Sequence, residues 1–219
     1  MSVAAERDGP STGAVELWGC KGCGSAVVEV LLEWANVPYT RHEIAPWKDA
    51  AAAEALKRIN PLAQVPTLRL ADGSVLTETV ATIVLLDELH PGARLLPPIG
   101  EAARVPVLRW IAFFAGNMYP AISVADFPER WIAGAEAQKA LQVGSVERVR
   151  QYWQIVESAL EPAPYLSGEN MTALDVYAAM FSHWGTGRRW VDSNCPKTAA
   201  ALALAEQHPV VQRVWKRNF

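Results

Sequence analysis

The sequence predicts an α/β domain built on a mixed sheet, followed by an all-helical bundle domain. Three observations carry that expectation. Strand-like and helix-like runs follow one another in the order β-α-β-α-β-β-α over residues 14–94. The punctuated stretch Leu95-Leu96-Pro97-Pro98-Ile99-Gly100 reads as a linker. From residue 101 to 219 strand signals vanish, and apolar residues recur at helical spacing.

Val15-Glu16-Leu17-Trp18 reads as a short strand stopped by Gly19. Ser25 to Asn36 carries Val27, Val30, Leu31 and Trp34 at helical spacing, with Asn36 placed to end the helix. Pro38 to Ile44 alternates as a second strand, and the alanine-rich run from Lys48 to Arg58 is a helix closed by Asn60-Pro61. Thr67–Leu70 and Ser74–Thr77 form a hairpin across the two-residue turn Asp72-Gly73. A helix from Thr79 to Leu89 ends at His90-Pro91-Gly92. This order suits a thioredoxin-like domain whose first two strands are parallel. In the second half, Glu101–Tyr119 and Val143–Leu160 show broad apolar faces, including Trp110, Phe114, Trp153 and Val156. Thr172-Ala173-Leu174-Asp175 has the hydroxyl-then-carboxylate spacing of a capping box before Val176 to Met180. Ala199–Glu206 and a helix that begins at His208 complete the chain.

Composition excludes several function classes. Hydrophobic residues make up 51% and charged residues 20%, the balance of a folded chain rather than a disordered one. A formal net charge of −3, with Arg213, Lys216 and Arg217 scattered at the end, argues against nucleic acid as a partner. No apolar stretch is long enough to span a bilayer, so no membrane partner is expected. Met1–Gly13 is small, polar and of mixed charge, which reads as a flexible tail without the apolar core of a secretory signal. Three cysteines, with Cys195 far from Cys20 and Cys23, make no disulfide framework, so reduced thiols and a cytoplasmic location are expected. No second Cys/His pair stands at zinc-binding spacing, and no metal is expected.

The chemistry centres on Asn60-Pro61-Leu62-Ala63-Gln64-Val65-Pro66-Thr67, the hairpin, and Glu78-Thr79. Pro66 has no N–H to give a strand ladder, and in the cis form it turns Val65 so that its N–H and C=O face outward. Glu78-Thr79 opens a helix whose free N–H groups and positive dipole end favour an anion. A bent backbone edge beside a helix start is a docking site for a small peptide-like acid.

This block, with its order and spacing, resembles the glutathione-binding half of the glutathione S-transferase family, and the resemblance extends over residues 15–215, bacterial and beta-like in character. It implies that glutathione is the co-substrate, that Val65 beside Pro66 pairs with its cysteinyl backbone, and that Glu78-Thr79 holds its γ-glutamyl end. It also implies that Gln64, Lys48 and Trp47 meet the glycyl carboxylate, and that the protein forms a homodimer.

In Gly19-Cys20-Lys21-Gly22-Cys23-Gly24-Ser25 the family places the residue that faces the glutathione sulfur. A thiol at a helix N-terminus beside Lys21 is expected to shift toward the thiolate, and a hydroxyl there can donate to the glutathione thiolate. The candidates in order are Cys23, Cys20 and Ser25. An ungapped alignment anchored on Glu33 to Tyr39 puts Gly22 at the serine position of the serine-type classes and Gly24 at the beta-like cysteine position. No tyrosine lies in this segment, so tyrosine-type chemistry is not expected. Cys20-x-x-Cys23 also has the spacing of a redox dithiol.

A pocket for a hydrophobic electrophilic small molecule is expected between the domains, lined by Arg109, Phe113, Asn117 and Tyr119, with Trp184, Trp190 and the loop 185–189 covering it. The function expected is transfer of activated glutathione thiolate to that electrophile. The alternatives are a glutathione-dependent thiol–disulfide reductase using Cys20 and Cys23, and a non-catalytic interaction module on the same fold.

Overall fold

The computed structural model describes residues 14–184 and 187–219; the expected tail at 1–13 and the loop residues Gly185 and Thr186 lie outside the described residues. The elements are β1 (Val15–Gly19), α1 (Ser25–Trp34), β2 (Tyr39–Glu43), α2 (Ala50–Lys57), β3 (Thr67–Arg69), β4 (Val75–Leu76) and α3 (Thr79–Leu89), then α4 (Arg104–Phe113), α5 (Tyr119–Asp126), α6 (Ala135–Ala159), α7 (Ala173–Ser182), α8 (Gly187–Asn194), α9 (Pro196–Ala205) and α10 (Pro209–Asn218). The four strands form one sheet in the order β2-β1-β3-β4. β1 and β2 are parallel, Val15 opposite Tyr39, and β3 is antiparallel to both β1 and β4. The result is a thioredoxin-like sheet domain followed by helices.

The hairpin differs from the expected two-residue turn. Leu68 pairs with Leu76 and Arg69 with Val75, and the Leu70 N–H donates to the Ser74 carbonyl at 2.8 Å. Ala71, Asp72 and Gly73 therefore form a three-residue loop, with Gly73 at φ +84° where a side chain is disfavoured. The Asp72 carboxylate accepts from the Ser74 N–H and hydroxyl, which settles this longer turn.

The helix expected to stop at Tyr119 continues. α4 passes through a π turn (Phe114–Met118) into α5. Pro120 has no N–H and its ring would press on the Gly116 carbonyl, and the wider turn just before it relieves both problems. α6 begins eight residues before the expected Val143, because Ala135 to Gln142 are good helix formers on a mostly exposed surface and show no apolar stripe. The loop expected over 185–189 gives way at Gly187 to α8, in which Val191 is the fully buried residue.

One core runs through both halves. Leu17, Val27, Leu31 and Ile83 pack in the same cluster as Phe114, Trp153, Tyr177 and Phe181. The stretch expected as a linker is pinned into it. Leu95 and Leu96 are buried, the Leu95 carbonyl accepts from the Ala173 N–H at 2.8 Å, and the Leu96 N–H donates to Asp87 at 3.0 Å. Arg104 bridges the other Asp87 oxygen at 2.8 Å and the Pro97 carbonyl at 2.6 Å.

α7 starts at the expected capping box: the Thr172 hydroxyl accepts from the Leu174 N–H, and Asp175 accepts from the Thr172 N–H at 2.9 Å. Asp175 also takes the Leu166 N–H at 2.7 Å and the Ser167 hydroxyl. Burial pushes its pKa up, and these donors pull the other way. Asp175→Ala strips the acceptor from two buried N–H groups as well as a hydroxyl, so it should cost about 3 kcal/mol or more, against about 1 kcal/mol for Thr172→Ala. Urea denaturation followed by tryptophan fluorescence measures both, and equal losses would contradict this account.

Candidate functional site

A cavity of about 980 Å³ opens between the edge of the sheet domain and the helices α5 and α7. Its floor on the sheet side is the turn from Asn60 to Thr67. Asn60 is buried, and its side chain organises that turn. Nδ2 donates to the Gln64 carbonyl at 3.0 Å and the Thr67 hydroxyl at 3.0 Å, and Oδ1 accepts from the Leu62 N–H at 3.1 Å. The Thr67 hydroxyl donates to the same Gln64 carbonyl at 2.8 Å. The Val65–Pro66 bond is cis. Gln64, Val65 and Pro66 line the cavity, and among the described residues neither the N–H nor the C=O of Val65 has a backbone partner. Asn60 is a residue the sequence reading missed as a site organiser. Its signal is an Asn ahead of a Pro, where an Asn side chain readily mimics a turn.

Glu78 and Thr79 stand beside this edge. Glu78 is the N-cap of α3 with φ +65° and ψ +111°, a strained conformation for a residue with a side chain. No side chain caps the helix, and Thr77, Glu78, Thr79 and Val80 all line the cavity. The free N–H groups of the first turn thus open onto it.

The loop between β1 and α1 contributes less than its sequence suggests. Cys23 lines the cavity, but its Sγ turns back on the loop, donating to the Cys20 carbonyl at 2.6 Å and accepting from the Cys20 N–H at 3.1 Å. Ser25 is fully buried, its hydroxyl accepting from the Cys20 N–H at 3.1 Å and lying 3.3 Å from the Cys23 sulfur. Cys20 is buried too, so neither Cys20 nor Ser25 reaches the cavity wall. The expected lowering of thiol pKa is reversed. Burial pushes Cys20 up to about 12, with Cys23 and the Glu43 carboxylate adding to it. Burial also raises Cys23, although hydrogen bonds to Ser25 and Cys20 oppose it. Cys23 precedes the N-cap Gly24, and its sulfur is spent on the Cys20 backbone rather than turned to the free N–H groups of α1, so desolvation outweighs the helix dipole. Both thiols of the Cys20-x-x-Cys23 pair are free, and neither is shifted toward the thiolate.

From the helical half, Tyr119 and Trp184 line the cavity, and Trp184 Nε1 donates to the Gly22 carbonyl at 2.8 Å. Trp47 lines it as well, whereas the exposed Lys48 does not. Arg109, Phe113 and Asn117 are not brought to it. Arg109 is exposed over the Trp110 ring at 4.8 Å, and Phe113 packs edge-on against Tyr152. Asn117 is exposed and donates to the Phe113 carbonyl. Positions two apart in sequence lie about 200° around an α-helix, so Asn117 and Tyr119 do not share a face. The cavity wall follows Ala115, Tyr119, Ile122, Ser123 and Asp126, the helical stripe that includes Tyr119. Trp190 packs against the core instead, and the exposed Trp131 and Arg130 also line the cavity, unnoticed in the sequence because they follow a helix end rather than a periodic run.

Because only the thiolate is nucleophilic, a raised pKa means slow reaction at neutral pH that accelerates as pH climbs through the alkaline range. Iodoacetamide should therefore label Cys23 more slowly than free cysteine at pH 7, leave Cys20 and Cys195 unlabelled in the folded chain, and speed up steadily above about pH 9. Peptide mass mapping over a pH series reads this directly. Faster labelling of Cys23 than of free cysteine at pH 7 would refute the geometry.

Residues 25–89 match the family model described as the glutathione S-transferase N-terminal domain. The chain is 34% identical over 205 residues to the uncharacterized GST-like protein YncG of Escherichia coli K12, covering 93% of this chain and 98% of that one. It is 27% identical over 157 residues to the glutathione S-transferase GstA of Escherichia coli O157:H7, with 70% and 73% covered. Its fold is similar to that of a glutathione transferase homologue from Sulfitobacter solved with bound glutathione, at a TM-score of 0.79 and 24% identity over 93% of this chain and 97% of that one. A glutathione transferase of Phanerochaete chrysosporium solved with oxidized glutathione aligns at a TM-score of 0.80 and 16% identity, covering 98% and 97%. With a full-length relative above 30% identity and a matching N-terminal model, the chain belongs to the glutathione S-transferase family.

Proposed function

We propose that the protein is a glutathione transferase that binds reduced glutathione and directs its thiolate at a hydrophobic electrophile. The observation that carries this reading is the meeting, in one cavity, of an unpaired backbone edge at Val65 and an uncapped helix start at Glu78-Thr79. The N–H and C=O of Val65 pair with the cysteinyl unit as a short antiparallel bridge. The first turn of α3 at Thr79 receives the γ-glutamyl carboxylate, and the Glu78 carboxylate faces the ammonium beside it. Gln64 and Trp47 meet the glycyl end; Lys48 is exposed and not part of the cavity lining, and takes no contact in this reading. The thiol proton leaves to solvent, the sulfur attacks the electrophilic carbon, and in a substitution the leaving group departs as an anion. Tyr119, Ile122, Ser123 and Trp131 form the wall against which that second molecule lies. Proteins of the same fold have been solved with glutathione bound, which supports glutathione as the ligand of this reading. The same reading carries a cytoplasmic homodimer.

Calorimetry with reduced glutathione tests it. Wild type should bind; Glu78→Ala and Thr79→Ala should each weaken binding about tenfold, which is about 1.4 kcal/mol. Lys48→Ala should change it little. Absence of binding heat together with absence of conjugation to a chromogenic aryl halide would overturn the proposal.

A further inference from the structure

We propose that the hydroxyl of Tyr119, carried by the helical half of the chain, is the hydrogen-bond donor that faces the glutathione sulfur, in place of any side chain of the loop before α1. The proposal rests on the glutathione reading above, which lays the cysteinyl unit along Val65 and so brings its sulfur beside Pro66 and the start of α1.

The first support is residue 24. A Cβ built on Gly24 would stand 2.9 Å from the Tyr119 hydroxyl, 3.5 Å from Pro66 Cδ and 3.7 Å from the Trp184 ring. Gly24 has φ −56° and ψ −20°, right-handed helical values that any residue adopts, so the backbone makes no demand for glycine there. The demand is for space, and the phenol oxygen is among the atoms that take it. The hydroxyl thus sits where a side chain at the helix start would otherwise project toward the ligand.

The second support is the phenol itself. Tyr119 packs its ring edge-on against Phe181 and Trp184, each at 5.5 Å between centroids, while its hydroxyl has no hydrogen-bond partner among the described residues. A tyrosine held this way usually spends its polar tip on a partner, and the cavity is the place left for one. The third support is the loop's own chemistry. The Cys23 sulfur is engaged with the Cys20 backbone and Ser25 is sealed away, so neither of these side chains offers a free donor to the cavity. Trp184, hydrogen-bonded to the Gly22 carbonyl, ties the wall that carries Tyr119 to this loop. Burial, with Cys23, Glu78 and Asp126 nearby, pushes the phenol above the ordinary tyrosine pKa, which keeps it protonated and donating at neutral pH.

The chemistry is one proton transfer. The glutathione S–H loses its proton to solvent, and the Tyr119 O–H donates to the sulfur anion that remains, without giving up its own proton. Tyr119→Phe removes the donor and keeps the ring packing. The ultraviolet thiolate absorbance of bound glutathione, followed against pH, should show a titration midpoint about one unit or more higher in Tyr119→Phe than in wild type, a tenfold change in ionisation. Binding of S-methylglutathione, which has no thiol to ionise, should be equal in the two proteins. Gly24→Ala, whose Cβ displaces the phenol, should raise the midpoint in the same way. Coincident midpoints in wild type and Tyr119→Phe would overturn the proposal, as would a midpoint that moves in Cys23→Ser but not in Tyr119→Phe. Failure of wild type to bind S-methylglutathione would instead sink the glutathione reading, and this one with it.

Discussion

Glu29 lies on α1 with none of its side chain exposed. A carboxylate buried so completely is tolerated only when charged and polar donors surround it. They come from two distant parts of the chain. Arg41 Nε on β2 donates at 3.1 Å, while Arg217 Nε at 2.9 Å and Asn218 Nδ2 at 3.2 Å come from α10. Glu33, one turn later on α1, takes Arg213 and Arg217, and the two arginines hold its pKa below the usual carboxylate value even though burial alone would raise it. The last helix is therefore fastened across α1, and the sheet is fastened to the same carboxylate.

The consequence reaches the candidate site. α1 begins at that site, and α10 ends beneath it, with the Asn218 carbonyl 3.7 Å from where a Cβ on Gly22 would lie. Gly22 itself sits at φ +75°, a conformation that favours glycine, and its carbonyl takes the Trp184 indole N–H. The loop before α1 is thus held from below by the C-terminal helix and from the side by α7's trailing tryptophan. Neither half of the chain builds the cavity alone. The sheet domain supplies backbone edges and a helix start, and the helical half supplies the aromatic wall with its hydroxyl.

The fold class was readable because its signals are local. Alternating strands, alanine-rich helices, the Thr172–Asp175 box and the Val65–Pro66 and Glu78-Thr79 pairs each announce themselves within a few residues. Boundaries and registers were less legible where a side chain or a neighbour decides them. Asp72 accepting from Ser74 lengthened the hairpin loop by one residue, and Pro120 was absorbed by a π turn instead of ending its helix. The arginines that looked like loose C-terminal charges turned out to be the partners of buried and half-buried glutamates. Nothing in their own segment could reveal that, because those glutamates lie about 180 residues away.

By itself, then, the amino-acid order determined which stretches form strands and helices, and it marked the turn and helix start that line the cavity. Such features depend on backbone preferences and on hydrogen bonds between near neighbours. Only the packed molecule decided which side chains meet in the cavity. Cys20 and Ser25 were drawn inward and their loop's thiols desolvated, Arg109, Phe113 and Asn117 were turned to another face, and Tyr119 was carried from the far half into the space above Gly24. Burial and long-range approach set those outcomes, and both are properties of the assembled chain rather than of any segment.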